Sequence, residues 1–274
     1  MMFKGKNFEF ELNKKTYVMG ILNVTDDSFF DGGKYNSLEK ALAHTKEMLE
    51  EGADIIDVGA QSTKPGHKEI SAEEELEIIK EYLPFIYDET KAVISVDTFY
   101  PVVAEYALQN GASIINDVSG VVSEEMAQVV KKYNAGWIIM HTGGGTADII
   151  PDYDMNIVED VNNFFVKSKK RCIDLGLSPE QIMFDIGVGF GKTTEQSIAL
   201  LRRLNSFESD VALMVALSSK RIVGETTQTN GYDRVYGTIS ANVFSAINGA
   251  DFVRVHNVKE NVLALKMLDA IVRG

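Results

Sequence analysis

Eight short apolar runs in this chain each end on polar residues that packing does not require. They close on Asn23, Asp57, Asp97, Asn116 with Asp117, His141, Asp185, Ser218, and Arg254 with His256. Strands that are apolar on both faces suit a parallel sheet buried beneath helices. Between the runs lie stretches whose apolar residues recur at helical spacing. The first spans 37–52, with Ser37 expected as its N-cap and Gly52 as its C-cap. Ser71, with Glu74 three residues on, has capping-box spacing, and Pro101 suits the first turn of a helix. Eight strands alternating with eight helices predict a (β/α)8 TIM barrel. The 274 residues match the roughly 250 that one such barrel needs, so one domain over 1–274 is expected. Residues 1–16 alternate apolar and polar through Phe8, Phe10 and Leu12, which predicts a short N-terminal hairpin capping the barrel floor.

Such barrels place their chemistry at the carboxyl ends of the strands. The polar stops therefore mark an expected active-site mouth. Segments 23–36, 61–70 and 142–156 are longer than a minimal connection and follow strand ends, so they are candidate lids. Gly32, Gly33 and Gly143 to Gly145 are their expected points of movement.

Composition narrows the function class. A net charge of −13 argues against nucleic-acid or anionic-membrane partners, although local cations at the mouth still permit an anionic substrate. Cys172 is the single cysteine, so no internal disulfide is expected, which fits a reducing compartment. The first 15 residues lack the apolar core of a signal peptide. No run approaches the ~20 apolar residues of a membrane span. The expectation is a cytoplasmic enzyme.

The mouth segments read ILNVTDDSFFDGG, DVGAQSTKPG, SVDTF, INDVSG, FDIGVGFGKT, LSSKR and VRVH, in that order. With them the chain resembles the dihydropteroate synthase family of pterin-binding barrels, from Tyr17 to Ile271. The resemblance implies condensation of a dihydropterin-methyl diphosphate with 4-aminobenzoate, giving dihydropteroate and pyrophosphate in an SN1-like displacement of folate biosynthesis. It places Asp97, Asn116, Asp185 and Lys220 on the pterin. The residue types suit a flat ring whose edge alternates donors and acceptors, where a carboxylate accepting from ring N–H and amino groups forms a charge-assisted pair.

It places Asn23, Lys64, Arg254 and His256 on the pyrophosphate. Arg254 and His256 are two apart on one strand and so share a side, and arginine offers phosphate a bidentate fork. The Asn23 amide oxygen suits Mg2+, the one cofactor expected, completed by phosphate oxygens and waters. Thr63, Phe190, Lys220 and Arg221 would meet the aminobenzoate, with Phe29 in the lid. Asp97, Asp185, Lys220, Arg254 and His256 form the catalytic set, and a homodimer through the small residues of 237–250 is expected. Asp57 and His141 are either site residues or structural support.

The departures from the family pattern are grouped. The family usually has Pro at Asp26, Glu at Gln61, Arg at Lys64, Pro at Ile186 and Ser at Arg221, and Arg is common at Ser219. Lys64 keeps charge but loses the planar fork. These changes lie in the lids and on the acceptor side. They keep two other readings open: a paralogue that binds the pterin diphosphate with another acceptor or without turnover, and a methyltetrahydrofolate–corrinoid methyltransferase. The second needs no pyrophosphate clamp, so Arg254 and His256 count against it.

Overall fold

The chain opens with an antiparallel hairpin, β1 (Met2–Gly5) and β2 (Phe8–Glu11), in which Phe3 faces Phe10 in register. Eight parallel strands follow and close on themselves. They are β3 (Tyr17–Asn23), β4 (Ile55–Gly59), β5 (Ile94–Asp97), β6 (Ile114–Asp117), β7 (Gly136–Met140), β8 (Ile182–Asp185), β9 (Ala212–Val215) and β10 (Phe252–Val255), with β10 pairing back onto β3. This computed structural model describes residues 1–24, 34–61, 70–146, 149–151, 153, 156–207 and 210–272.

Side chains alternate along a strand, so each barrel strand serves two cores. One set of residues, including Val18, Ile56, Ile94, Ile115, Phe184 and Val253, packs against the surrounding helices. The other set fills the barrel floor: Met19, Ile55, Ile114, Ile138, Met183, Met214 and Phe252. The hairpin closes that floor from below, as its alternation predicts, with Phe3, Phe8, Phe10 and Leu12 buried against it. Phe3 meets Phe252 edge-on with ring centroids 5.7 Å apart, and Tyr17 stacks on Phe252 at 5.1 Å. The floor is therefore an aromatic plug, and any ligand site lies at the other end.

Nine helices surround the barrel among the described residues: α1 (Lys34–Glu51), α2 (Ala72–Thr90), α3 (Pro101–Gln109), α4 (Glu124–Tyr133), α5 (Ile157–Asp174), α6 (Thr194–Arg202), α7 (Arg221–Thr227), α8 (Arg234–Ile247) and α9 (Val258–Val272). Eight were expected. The ninth, α7, is a seven-residue helix too short to display an apolar period. The capping box at Ser71 is present, with Glu74 N–H donating to Ser71 Oγ at 3.2 Å and Ser71 N–H to Glu74 Oε2 at 2.8 Å. Pro101 opens α3 as expected.

Ser37 is not an N-cap, because α1 begins at Lys34 and Ser37 lies inside it. The apolar period becomes visible only at Leu38, while the helical hydrogen bonding extends through the polar residues before it. No described helix is long and apolar enough to cross a membrane.

Candidate active site

Four strands carry the same inward pair, an apolar floor residue followed two positions later by a polar one. The pairs are Ile55 and Asp57 on β4, Ile114 and Asn116 on β6, Met183 and Asp185 on β8, and Phe252 and Arg254 on β10. A step of two residues keeps the side chain on one face and raises it by about 7 Å. The result is a polar tier directly above the aromatic floor. Asp97 joins it from β5, beside Asn116 in strand register.

The tier is wired together. Arg254 donates from Nε to Asp57 Oδ2 at 2.6 Å and from Nη2 to Asp97 Oδ2 at 2.8 Å. Asn116 Nδ2 donates to the same Asp57 oxygen at 3.1 Å. Gly187 N–H donates to Asp185 Oδ1 at 2.8 Å. Asp97, Asn116 and Asp185 are thus each anchored through a single side-chain atom, and their other polar atoms are not used in these bonds. Side chains fixed in this way are preorganised for a ligand.

Burial dominates the electrostatics of the tier. Withdrawal from water raises Asp97 to about 7, against the opposing pull of Arg254, while Asp57 and Glu75 push it further up. Burial also raises Asp185, with Lys220 opposing. Burial lowers Lys220 to about 8, with Asp185 resisting. It works against the Arg254 charge too, but Asp57 and Asp97 outweigh it and hold the guanidinium above its ordinary value.

Lys220 precedes α7 and donates to Val188 O at 2.7 Å, with its ammonium 4.7 Å from the centre of the Phe190 ring. The structure thus joins Asp97 to Arg254 by a direct bond, links Asn116 to Arg254 through Asp57, and brings Lys220 to Phe190. His256 lies just beyond β10, exposed, with Nδ1 3.2 Å from Ser218 Oγ. Arg254 and His256 therefore differ in setting although they share a side: one is locked inside the tier, the other stands on the rim. Asn23 ends β3 beside Gly59, partly exposed. Arg221 turns along α7 toward Glu225, with Nε 3.6 Å from its carboxylate and nearly half its side chain exposed. It is not drawn to Lys220 or Phe190. Thr63 and Lys64 lie outside the described residues, as do Asp26, Phe29, Gly32 and Gly33.

Three other groups complete the picture. Asp57, left open by the sequence, is the hub that ties Arg254 to Asn116; its signal was its place two residues after Ile55. His141 is buried, its Nε2 pairs with Asp160 Oδ2 at 2.8 Å, and burial lowers it to about 4. Asp117 faces the helices, where Ser119 N–H and Trp137 Nε1 donate to it at 2.9 and 3.3 Å.

Two buried ionisable residues were not anticipated. Glu75 sits on the inner face of α2, raised to about 7 by burial despite a hydrogen bond with Thr98. Its spacing with Ile79, Leu83 and Ile86 marks it as inward-facing. Lys192 is 1% exposed and left no sequence signal beyond its place after the glycines. Gly145 was expected to permit loop movement. It is also tightly packed, since a side chain there would meet Gly191 Cα at 2.5 Å.

A magnesium site must be judged on the donors present. Among the described residues no cluster of three or more His, Cys, Asp or Glu side chains is arranged to hold a metal. The Asn23 amide fits a hard cation only as one oxygen ligand, with the rest supplied by phosphate and water, which is how magnesium is commonly held.

Comparison with known proteins agrees with this geometry. Residues 19–256 match the family described as pterin binding enzyme. The chain is 40% identical to the dihydropteroate synthase of Clostridium beijerinckii over 272 residues, covering 97% of each protein. It is 37% identical to that of Escherichia coli K12, covering 93% of this chain and 91% of that protein. The solved dihydropteroate synthase from Clostridium difficile in the presence of pteroic acid superposes with a TM-score of 0.90 at 42% identity, over 97% of this chain and 100% of that one. The enzyme from Xanthomonas albilineans in complex with 7,8-dihydropteroate superposes at 0.85 with 34% identity, over 96% and 95%.

Proposed function

Because the chain belongs to the dihydropteroate synthase family of pterin-binding enzymes, we propose that it is a transferase of folate biosynthesis that joins a dihydropterin-methyl diphosphate to 4-aminobenzoate. The observation that carries this reading is the anchored polar tier of Asp97, Asn116 and Asp185 above a sealed apolar floor. It supplies carboxylate acceptors and amide groups to the edge of a pterin, with Lys220 beside it. The C–O bond to the exocyclic methylene breaks, and its electron pair leaves with pyrophosphate. The electron-rich ring carries the resulting positive charge, the aminobenzoate nitrogen attacks the methylene, and that nitrogen then loses a proton. No protein nucleophile is required. Asp97 and Asp185 stabilise the developing cation, and their preorganisation is what makes such stabilisation effective.

His256 and Arg254 face the leaving group in this reading, with Lys64 as a further cation. Asn23 would hold Mg2+, which when bound neutralises charge on the departing pyrophosphate. Arg254 is already paired with two carboxylates, so His256 and Lys64 carry more of the clamp than the sequence implied. Phe190 and Lys220 wall the acceptor pocket, with Thr63. Arg221 would have to leave Glu225 to join them.

Exposed Tyr236, Phe244 and Ile247 on α8 with Leu263, Met267 and Ile271 on α9 support the homodimer through the late helices. Cys172 is buried, with its thiol pushed up to about 12, and is suited to remain a thiol in a cytoplasmic setting. Incubation with the pterin diphosphate, 4-aminobenzoate and Mg2+ tests the assignment. Dihydropteroate and pyrophosphate in equal amounts are expected. Tight binding of the diphosphate without product indicates a binding protein, and methyl transfer to a corrinoid would replace the assignment altogether.

A further inference from the structure

We propose that Lys192 is a positioning residue for the acceptor half of the site, acting through Phe190 and the loop that carries it. The inference rests on the reading of Phe190 as a wall of the aminobenzoate pocket. The Lys192 ammonium donates to three backbone carbonyls: Phe190 O at 2.8 Å, His141 O at 2.9 Å and Gly187 O at 3.0 Å. An ammonium has three N–H donors, so all are spent on this cradle. Its acceptors come from two neighbouring strand ends, the β7 exit at His141 and the β8 exit at Gly187 to Phe190.

Backbone N–H groups of the loop after β8 make a few bonds of their own, Phe190 to Gly187 O at 3.1 Å, Gly189 to Ser197 Oγ at 3.3 Å and Gly191 to Thr146 O at 2.8 Å. Gly187, Gly189 and Gly191 adopt φ of +66°, +77° and +60°, and Gly187 has no room for a side chain, which would stand 1.9 Å from His141 O. Two lysines hold the loop's carbonyls from either side. Lys192 takes the carbonyls of Gly187 and Phe190, and Lys220 takes the intervening carbonyl of Val188 at 2.7 Å. Lys220 also lies over the Phe190 ring. Tyr153 adds a bond from its hydroxyl to Gly191 O at 2.6 Å, joining the loop after β7 to the same seam. Lys192 is thus the buried strut that sets where Phe190, and with it Lys220, presents to a second substrate. Of the pterin residues, Asp97 and Asn116 are fixed by different bonds, to Arg254 and Asp57, whereas Asp185 is tied to this loop through Gly187 N–H.

Lys192→Met, close in length but without donors, separates the two halves. KM for 4-aminobenzoate is expected to rise at least tenfold, and the Kd of the pterin diphosphate by at most a third of that factor, because Asp97 and Asn116 keep their bonds while Asp185 and Lys220 border the shifted loop. On a Phe190→Ala background the same substitution is expected to add less than twofold, because its effect runs through Phe190. Equal losses for both substrates, or losses that multiply in the double variant, overturn the proposal. If K192M does not accumulate as folded protein, Lys192→Arg carries the test, since a planar guanidinium cannot donate along the same three directions. A crystal structure of either variant reads the positioning without turnover: residues 187–191 are expected to shift, and an unmoved Phe190 overturns the proposal. A parent chain that makes no dihydropteroate removes the functional reading, yet leaves this structural outcome intact.

Discussion

Arg254→Met removes the counter-charge of two buried carboxylates while keeping most of the side-chain volume. Asp57 is fully buried, Asp97 is 8% exposed, and the Arg254 side chain only 13%. Removing one partner from a buried ion pair costs about 3–5 kcal/mol, because the remaining charge is left uncompensated. At about 2 °C per kcal/mol for a chain of this size, the melting temperature should fall by about 6–10 °C at pH 8. The pH dependence identifies the cause. Asp97 is already raised to about 7 in the folded protein, above an ordinary unfolded value of about 4. A raised carboxyl favours folding while protonated, and that benefit is lost as pH rises through the folded value. Without Arg254 the folded value climbs further, so the deficit of R254M should be largest at pH 8 and shrink toward pH 5. Adding Asp97→Asn to R254M should recover part of the loss at pH 8. Scanning calorimetry of the parent and both variants at the two pH values measures this. A loss under 2 °C, or one independent of pH, would refute the buried counter-ion role.

Asp97→Ala should abolish pterin binding in calorimetry; affinity within threefold of the parent would sink the pterin assignment. In the parent, binding at pH 7 should release a fraction of a proton, since burial raises Asp97 and it must ionise to accept ring donors. Titrations in buffers of different ionisation enthalpy read that number, and no release would contradict it. Phe3→Ala empties part of the floor under Phe252 and should cost about 3–5 kcal/mol in urea unfolding, without changing pterin affinity. Glu75→Gln should flatten the pH dependence of stability. Glu75 is raised to about 7, so the parent loses its contribution as pH rises through 7 and the variant does not. Urea midpoints at pH 5 and pH 8 check this, and an unchanged slope would count against a buried, proton-holding Glu75.

The barrel was legible because its signals are periodic. Eight apolar runs with polar ends, separated by helical spacing, leave few other arrangements. Residues anchored at strand ends were legible for the same reason: Asp57, Asn116, Asp185 and Arg254 each sit a fixed step above a floor residue, and Asp97 ends its strand beside Asn116. Partnership was not. Nothing in the spacing shows that Arg254 on the last strand reaches Asp57 and Asp97 on the second and third, since 197 and 157 residues separate them. The family resemblance assigns Asp97 and Arg254 to two half-sites, and the structure joins them by an ion pair. Lys192 was invisible because a buried lysine satisfied by backbone carbonyls has no side-chain partner to suggest it. Arg221 shows the opposite case, a charge at a promising position whose helix turns it toward Glu225.

The assignment of the polar tier is tested most directly by a crystal structure of the chain with a bound pterin. The ring should lie above the floor of Met183 and Phe252, with its donor edge within 3.2 Å of Asp97 and Asp185 and of Asn116, and Lys220 alongside. A pterin bound at high occupancy anywhere else, with Asp97, Asn116 and Asp185 untouched, would contradict it.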